Sequence, residues 1–302
     1  MRYIPRFNRI VTVTSIQLTE LDLIIIQLIH RHRFLRFDQL HRLLGGSAQQ
    51  LSRRLQRLYH AGYLERPRAQ LEYYHRHGNQ PIAYGLGNKA GSLLDLQPPE
   101  WGEKNRAVGR MYLAHALLVS EFMVSLELAC RRHGIRLLYE DELGLPVPHP
   151  LQWRVKLRDG TKLGAVPDRV FALEYPDSAG QMQRAYFFLE ADRGTMPVIR
   201  RNLTQTSIYR KLLAYEATWT NKVHQRHLGI PRFRVLTVTP SSDRVQSMLA
   251  ACAQLQRGHG LFLFADQSVL QQDLLSAVWL CGKDGPRSAL VDLPDPANPH
   301  VS

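Results

Sequence analysis

Three amphipathic helical segments separated by short turns dominate the first third of this 302-residue chain. Gly45 and Gly46 separate the second segment from the third. Within the third segment, Leu51, Leu55 and Leu58 recur at intervals of four and three residues, which marks one face of a helix as buried. A helix, a short helix, a glycine turn and a further helix form the pattern of a helix-turn-helix. The sequence therefore predicts a tri-helical domain whose last helix presents its opposite face outward.

A hairpin is predicted directly after the third helix. Residues 64–68 and 82–86 have the composition of strands, and Gly78-Asn79 in the polar loop between them provides the chemistry of a tight turn. A helix-turn-helix followed by a hairpin is a winged helix-turn-helix. We expect this domain to span residues 1–96.

The charge of the chain favours a polyanionic partner. Lys and Arg number 39 against 26 Asp and Glu, so the net charge is +13, and more than half of this excess lies in residues 1–100. Such an excess favours nucleic acid or an acidic membrane surface as partner. Purely apolar runs such as the one at residues 23–26 are too short to cross a bilayer. Three widely separated cysteines and a basic N-terminus without an apolar core predict a cytoplasmic protein.

The outward face of the third helix and the wing loop carry the candidate DNA contacts. Arg53 and Gln49 are predicted to contact bases, and Arg57, His75 and Arg76 to contact phosphates of double-stranded DNA. The complete predicted set is Gln49, Gln50, Ser52, Arg53, Arg54, Arg57, His75, Arg76 and His77. The competing interpretation is an ordinary solvated helix face, and tri-helical folds also serve as protein-docking modules.

The rest of the chain alternates between helical and strand-like segments. After a proline-containing linker at residues 97–110, the pattern predicts one α/β domain at 111–293 and a flexible tail at 294–302. Its predicted elements are a helix at 111–132, strands at 136–139, 163–173 and 185–191, a helix at 197–220, a strand at 232–239, a helix at 243–256 and a strand at 261–264. The predicted fold class is thus α+β or α/β, a winged helix-turn-helix followed by a mixed-sheet domain.

The element order of the second domain resembles the core of the PD-(D/E)xK nuclease superfamily, a restriction-endonuclease-like fold. Asp168 and Glu190 are predicted on paired strands, where they could hold one Mg²⁺ or Mn²⁺ ion. A nuclease of this type has a lysine two residues after the glutamate, but Asp192 and then Arg193 stand here. Lys211 on the following helix, or Arg193, would have to supply the cation. Because the lysine is replaced, we expect the domain to lack nuclease activity, and Mg²⁺ or Mn²⁺ is the candidate cofactor if the domain is active.

The way in which the carboxylates are neutralised distinguishes an active nuclease from an inactive one. We expect Asp168, Glu190 and Asp192 to crowd together on adjacent strands, with Lys211 facing them. A working nuclease would neutralise them with a metal ion in an open cleft. In an inactive nuclease, Arg193, Lys211 or packed side chains would fill the cleft.

Several motifs, in order along the chain, resemble the replication-relaxation family of bacterial plasmids and mobile elements. They are LTELDLIIIQLIHRHRFLRFDQLHRLL, RRLQRLYHAGYLER, AYGLGNKAGSLL, VPDRVFAL, FFLEADRGTMP and KLLAY. The resemblance implies a DNA-binding accessory protein of plasmid or mobile-element replication or mobilisation. It also marks Thr195 and Tyr215 beside Asp168, Glu190, Asp192, Arg193 and Lys211.

Three other functions remain open on the sequence. The first is a metal-dependent DNA nuclease targeted by its winged helix, and the second is a transcription regulator whose second domain forms a homodimer. The third is an adaptor that binds replication, relaxosome or other mobile-element proteins. No membrane partner is expected.

Overall fold

The computed structural model describes residues 7–9, 16–71, 80–96, 100–147, 150–177, 179–283, 285–287 and 289–290. The chain divides into two compact units, residues 1–124 (unit 1) and 125–302 (unit 2). The fold is mixed α and β, with a helical region followed by a sheet domain, which confirms the predicted fold class. The predicted tail at 294–302 lies outside the described residues.

Unit 1 contains short helices and a small antiparallel sheet whose strands are ordered β1-β3-β2. Its chain order, α1-β1-α2-α3-β2-β3, is the order that the sequence predicts for a winged helix-turn-helix, with one additional strand before α2. The elements are α1 (Glu20–His32), β1 (Leu35–Arg36), α2 (Phe37–Leu44), α3 (Ala48–Ala61), β2 (Leu64–Glu65), β3 (Ala83–Leu86), α4 (Asn88–Leu93) and α5 (Trp101–Ala107).

Helix α3 is capped at both ends by residues suited to these positions. The Ser47 hydroxyl accepts a hydrogen bond from the Gln50 backbone N–H, and Gly62 ends the helix with a φ of 92°, a left-handed conformation that favours glycine. Leu51, Leu55 and Leu58 are buried, as predicted. The face of α3 that carries these leucines is therefore fixed against the core of unit 1.

Helix α5 occupies half of the segment at 97–110 that the sequence predicts as a linker. Asn105 is fully buried and donates a hydrogen bond of 2.7 Å to the Leu86 carbonyl. The Gly102 backbone N–H donates to the Asn88 side-chain oxygen at 2.6 Å. These two hydrogen bonds tie α5 to the preceding strand and helix, so the boundary between the units falls at residues 124 and 125 instead.

The long helix α6 (Arg110–His133) contains this boundary. By length and composition alone it could cross a membrane, but 61% of its apolar window is buried inside the structure. Because buried core helices have the same length and composition, this helix is weak evidence for a membrane span.

Unit 2 is built on a seven-stranded mixed sheet with the order β12-β11-β10-β9-β8-β7-β4 among the described residues. Strands β8, β9 and β10 are parallel neighbours, and the other neighbouring pairs are antiparallel. The elements are β4 (Arg136–Tyr139), β5 (Trp153–Lys156), β6 (Lys162–Ala165), β7 (Arg169–Pro176), β8 (Met182–Ala191), α7 (Ile208–Thr220), α8 (Val223–Arg226), β9 (Phe233–Thr239), α9 (Ser242–Cys252), β10 (Phe262–Asp266), β11 (Trp279–Cys281) and β12 (Gly285–Arg287).

The main core of unit 2 lies between the sheet, helices α7 and α9, and the separate β5–β6 hairpin. Phe188 and Val235 project from central strands into this core, where they meet Leu212 of α7, Met248 of α9 and Trp153 of β5. All five side chains are buried. This packing positions α7 directly against the central strands.

Three predicted boundaries in unit 2 are wrong. The predicted strand 163–173 is two strands in different sheets, because Pro167 lacks an N–H and interrupts the ladder. The predicted helix at 197–220 begins only at Ile208, where the Ser207 hydroxyl caps it by accepting from the Arg210 backbone N–H. The helix predicted at 243–256 ends at Cys252.

Candidate nucleic-acid interface and carboxylate cluster

The outward face of α3 is polar, basic and exposed. Gln49, Gln50, Ser52, Arg53 and Arg57 are all exposed, on the side of the helix opposite its buried leucines. Two of the predicted cations, one turn apart, therefore project from the face that the sequence singles out.

Arg54 differs from its neighbours because it holds the fold together. Its guanidinium donates to both oxygens of the Asp22 carboxylate, one at 2.7 Å, and to the Thr19 hydroxyl. Asp22 is 1% exposed, so this pair fastens α3 to the start of α1. Arg54 was predicted to contact DNA, but the structure commits its guanidinium to an intramolecular ion pair.

Other arginines of unit 1 are also neutralised internally. Arg36 and Arg42 both pair with the Glu121 carboxylate, and the Glu65 carboxylate accepts from Arg9 at 2.9 Å and from Arg106 at 2.7 Å.

In contrast, Arg53 and Arg57 make no ion pair or side-chain hydrogen bond within the described part of the chain. Their charges are available to an external anion.

The Gln70 side chain fixes the base of the predicted wing by pairing with the Ala83 backbone as a neighbouring strand would. The Gln70 amide donates to the Ala83 carbonyl at 3.0 Å and accepts from the Ala83 backbone N–H at 2.8 Å. Arg68, just before it, is exposed; the sequence analysis missed this residue, although its place after Pro67 at the exit of β2 could have indicated it. The predicted wing contacts His75, Arg76 and His77 lie outside the described residues.

A second cluster lies in unit 2, at the edge of the sheet where β8 and β9 end. Since these strands are parallel and β7 is antiparallel to β8, the start of β7 reaches the same edge. The Asp168 backbone N–H donates to the Leu189 carbonyl at 2.9 Å, and the Asp168 carboxylate accepts from the Ala191 N–H at 2.7 Å. Asp168 is thereby held beside Glu190.

Both oxygens of the Glu190 carboxylate are engaged by α7. One accepts from the Lys211 ammonium group, and the other accepts from the Tyr215 hydroxyl at 2.5 Å. Lys211 and Tyr215 are four residues apart and so lie on one face of the helix. Glu190 is 6% exposed, which makes this a nearly buried ion pair.

The pKa values of this cluster follow from burial and from the neighbouring charges. Burial raises the pKa of Glu190 more than the Lys211 ammonium group lowers it, and the Asp168 carboxylate raises it further. For Lys211, burial lowers the pKa, but the carboxylates of Glu190 and Asp168 outweigh it, so the net direction is upward. Burial and the Glu190 carboxylate raise the pKa of Tyr215 well above its usual value of 10.0. Tyr215 therefore remains a hydrogen-bond donor.

Asp192 has a different partner from the one predicted. Its carboxylate accepts from the Thr239 hydroxyl at 2.6 Å and from two nitrogens of Arg244 at 2.5 and 3.1 Å. Arg244 also donates to the Met196 carbonyl, so it ties the segment after β8 to α9. The prediction named Arg193 or Lys211 as the neutralising cation, and the sequence analysis missed Arg244. Arg193 is half-buried and Thr195 is exposed.

The arrangement does not fit a Mg²⁺ or Mn²⁺ ion. Among the described residues, no group of three or more His, Cys, Asp or Glu side chains is placed to hold a metal. The two oxygens of Glu190, a predicted ligand, already face an ammonium group and a hydroxyl. An ion at this position would have to displace Lys211.

The fold and the two sites define a two-unit α+β protein, with a helical unit that presents exposed arginines and a mixed-sheet unit that carries a neutralised carboxylate cluster. The family model described as replication-relaxation matches residues 26–232, and the chain belongs to this family. Comparisons with curated proteins and with solved structures give no match. Membership confirms the resemblance seen in the motifs and indicates a role in plasmid or mobile-element replication. The match includes Lys211 and Tyr215 and ends before Arg244.

Proposed function

We propose that this protein is a DNA-binding accessory protein of plasmid or mobile-element replication or mobilisation. Unit 1 serves as its winged helix, and unit 2 is a nuclease-like domain without nuclease activity. The observation that carries the proposal is the pair Arg53 and Arg57, which are exposed on α3 without an intramolecular partner in the described part of the chain.

The outward face of α3 has the donors and acceptors that read a major groove. A glutamine amide pairs in two-point fashion with adenine, and an arginine guanidinium does the same with guanine. Gln49 lies in the first turn of the helix and Arg53 one turn later, in the half that usually enters the groove. Arg57, a further turn along, is suited to a phosphate. Arg68 at the base of the wing adds a further exposed cation on the unit.

The neutralised carboxylate cluster supports a structural role for unit 2. Lys211 and Tyr215 saturate Glu190, while Arg244 occupies Asp192, the residue at the lysine position of the nuclease motif. In a nuclease these positions would bind a metal ion and water. Here the carboxylates and the cations pair with each other instead. In this proposal the α/β core has the nuclease-like arrangement, and the residues at its catalytic positions stabilise the fold through intramolecular ion pairs and hydrogen bonds.

DNA binding is tested with single substitutions in the full-length protein. A duplex site is selected from a random library, and its affinity is measured for wild type, Arg53→Ala and Lys104→Ala. Loss of a two-point base contact costs about 1–3 kcal/mol, so we expect Arg53→Ala to bind roughly ten-fold or more weakly and to lose preference at one base pair. Lys104 is an exposed cation of the same unit, on α5, and serves as the matched control. Unchanged affinity and preference in Arg53→Ala would refute the assignment of α3.

Absence of nuclease activity needs a separate experiment. Supercoiled and linear DNA are incubated with wild type or Asp168→Ala in the presence of Mg²⁺ or Mn²⁺. We expect no cleavage by either protein. Nicking by wild type that disappears in Asp168→Ala would establish the alternative, a metal-dependent nuclease targeted by its winged helix.

A further inference from the structure

A cleft of about 790 Å³ lies in unit 2 at the starting ends of β8 and β9, whereas the carboxylate cluster lies where these strands end. Its volume is in the range of small-ligand sites. Buried Leu261 and Leu290 contribute to its lining, together with residues from the end of β7 and from Trp219 of α7. None of the residues assigned above to DNA contact or to the carboxylate cluster lines it.

The charged residues that line the cleft are all arginines. Arg184, Arg232 and Arg234 line it, and no Asp or Glu does. Arg184 donates to the partly buried Glu174 nearby and so is partly neutralised. Arg232 is exposed and makes no ion pair or hydrogen bond in the described part of the chain. An anion entering the cleft would thus meet at least one uncommitted guanidinium.

Aromatic rings line the same cleft. Tyr175, Tyr186 and Trp219 are each half-buried, with part of the side chain exposed. Trp219 is held by stacking on His224, with ring centroids 4.9 Å apart and planes 9° from parallel, and by an edge contact with Phe233. The Tyr186 hydroxyl accepts from Arg184 at 3.4 Å. Trp219 and Tyr186 are therefore held by neighbouring side chains before any ligand arrives.

We propose that this cleft, the arginine–aromatic cleft, binds single-stranded DNA. Exposed aromatic rings stack on unpaired bases, and neighbouring guanidinium groups neutralise the phosphates that connect them. A cleft of this volume admits an unstacked base with its phosphate, whereas the bases of a duplex are shielded by their pairing. The inference goes beyond the proposed function, because it concerns another unit and another form of DNA.

The experiment uses the full-length chain carrying Arg53→Ala and Arg57→Ala, so that the helix α3 contribution is removed. Binding of a fluorescent oligothymidylate of about 20 nucleotides is followed by anisotropy. We expect binding, weakened about ten-fold by a further Arg232→Ala or Tyr186→Ala. Tyr186→Phe should retain most of the affinity, because it keeps the ring that stacks. Arg158→Ala, which removes an exposed arginine elsewhere in unit 2, should leave binding unchanged.

Three outcomes would overturn the proposal. One is no binding of the oligonucleotide, and a second is equal binding by the Arg232→Ala, Tyr186→Ala and Arg158→Ala proteins. The third is displacement by polyglutamate as effective as by unlabelled oligonucleotide, which would identify an acidic protein segment as the occupant. None of these outcomes bears on duplex binding by α3, so the two proposals fail independently.

Discussion

Glu190 is a carboxylate that the structure neutralises by two side chains of one helix. Removing Lys211 leaves this charge nearly buried with only the Tyr215 hydroxyl as donor. Lys211 is 36% exposed, so the cost falls below that of a fully buried pair, and we expect Lys211→Met to destabilise the protein by about 1–3 kcal/mol in urea unfolding. Adding Glu190→Gln should restore part of this stability. A double variant less stable than Lys211→Met would show that the unpaired, buried charge of Glu190 is not the cause.

The raised pKa of Tyr215 gives a pH dependence with a definite sign. In the unfolded chain Tyr215 releases its proton near pH 10, whereas burial and the Glu190 carboxylate keep it protonated in the fold. Above pH 10 the folded state therefore binds more protons than the unfolded state, and stability falls as pH rises. Tyr215→Phe removes this contribution, so its unfolding free energy should fall less steeply than that of wild type between pH 9 and about 11. Parallel slopes would contradict the assignment.

The carboxylate cluster was predictable only in part from its residues. Asp168, Glu190 and Lys211 come together because each lies at a position fixed by strand pairing or by the helix that follows, and sequence spacing reports such positions. Arg244 is 52 residues from Asp192 on α9, and its approach depends on how that helix packs against the sheet. No local pattern carries that information.

At the level of elements, the Gln70 side-chain amide holds the base of the predicted wing in place. Gln70 supplies both hydrogen bonds of the buried Ala83 backbone on its side, so Gln70→Ala leaves a buried donor and acceptor unsatisfied. We expect a loss of about 1–3 kcal/mol in unfolding free energy and weaker duplex binding. Gln205→Ala, at an exposed glutamine of unit 2, is the control. Stability equal to that of the control variant would show that the wing base is held by other contacts.

The helices and central strands were easier to predict than the edges. Leucine spacing indicated α3, and the continuous apolar runs indicated β8, β9 and β10. Strand β5 was missed because it has only four residues, and β6, equally short, was merged with β7 across Pro167. Strands β11 and β12, three residues each, carry too little pattern to be recognised.

For the whole molecule, net charge alone does not locate the DNA-binding face. The chain carries +13, yet Arg9, Arg36, Arg42, Arg54 and Arg106 of unit 1 are all consumed by internal ion pairs. Composition predicted a polyanionic partner, but only the pairing pattern distinguishes Arg53 and Arg57 from their neighbours. Charge that remains unpaired on the outward face of α3 after folding, rather than total charge, defines the proposed interface.

The salt dependence of duplex binding tests this account most directly. Each phosphate contact releases about one counterion, so the logarithm of affinity falls with the logarithm of salt concentration with a slope set by the number of contacts. We predict that Arg53→Ala with Arg57→Ala lowers the affinity and reduces this slope by about one to two, whereas Lys104→Ala leaves both unchanged. Identical affinities and slopes for wild type and the α3 double variant would contradict the claim that α3 binds DNA.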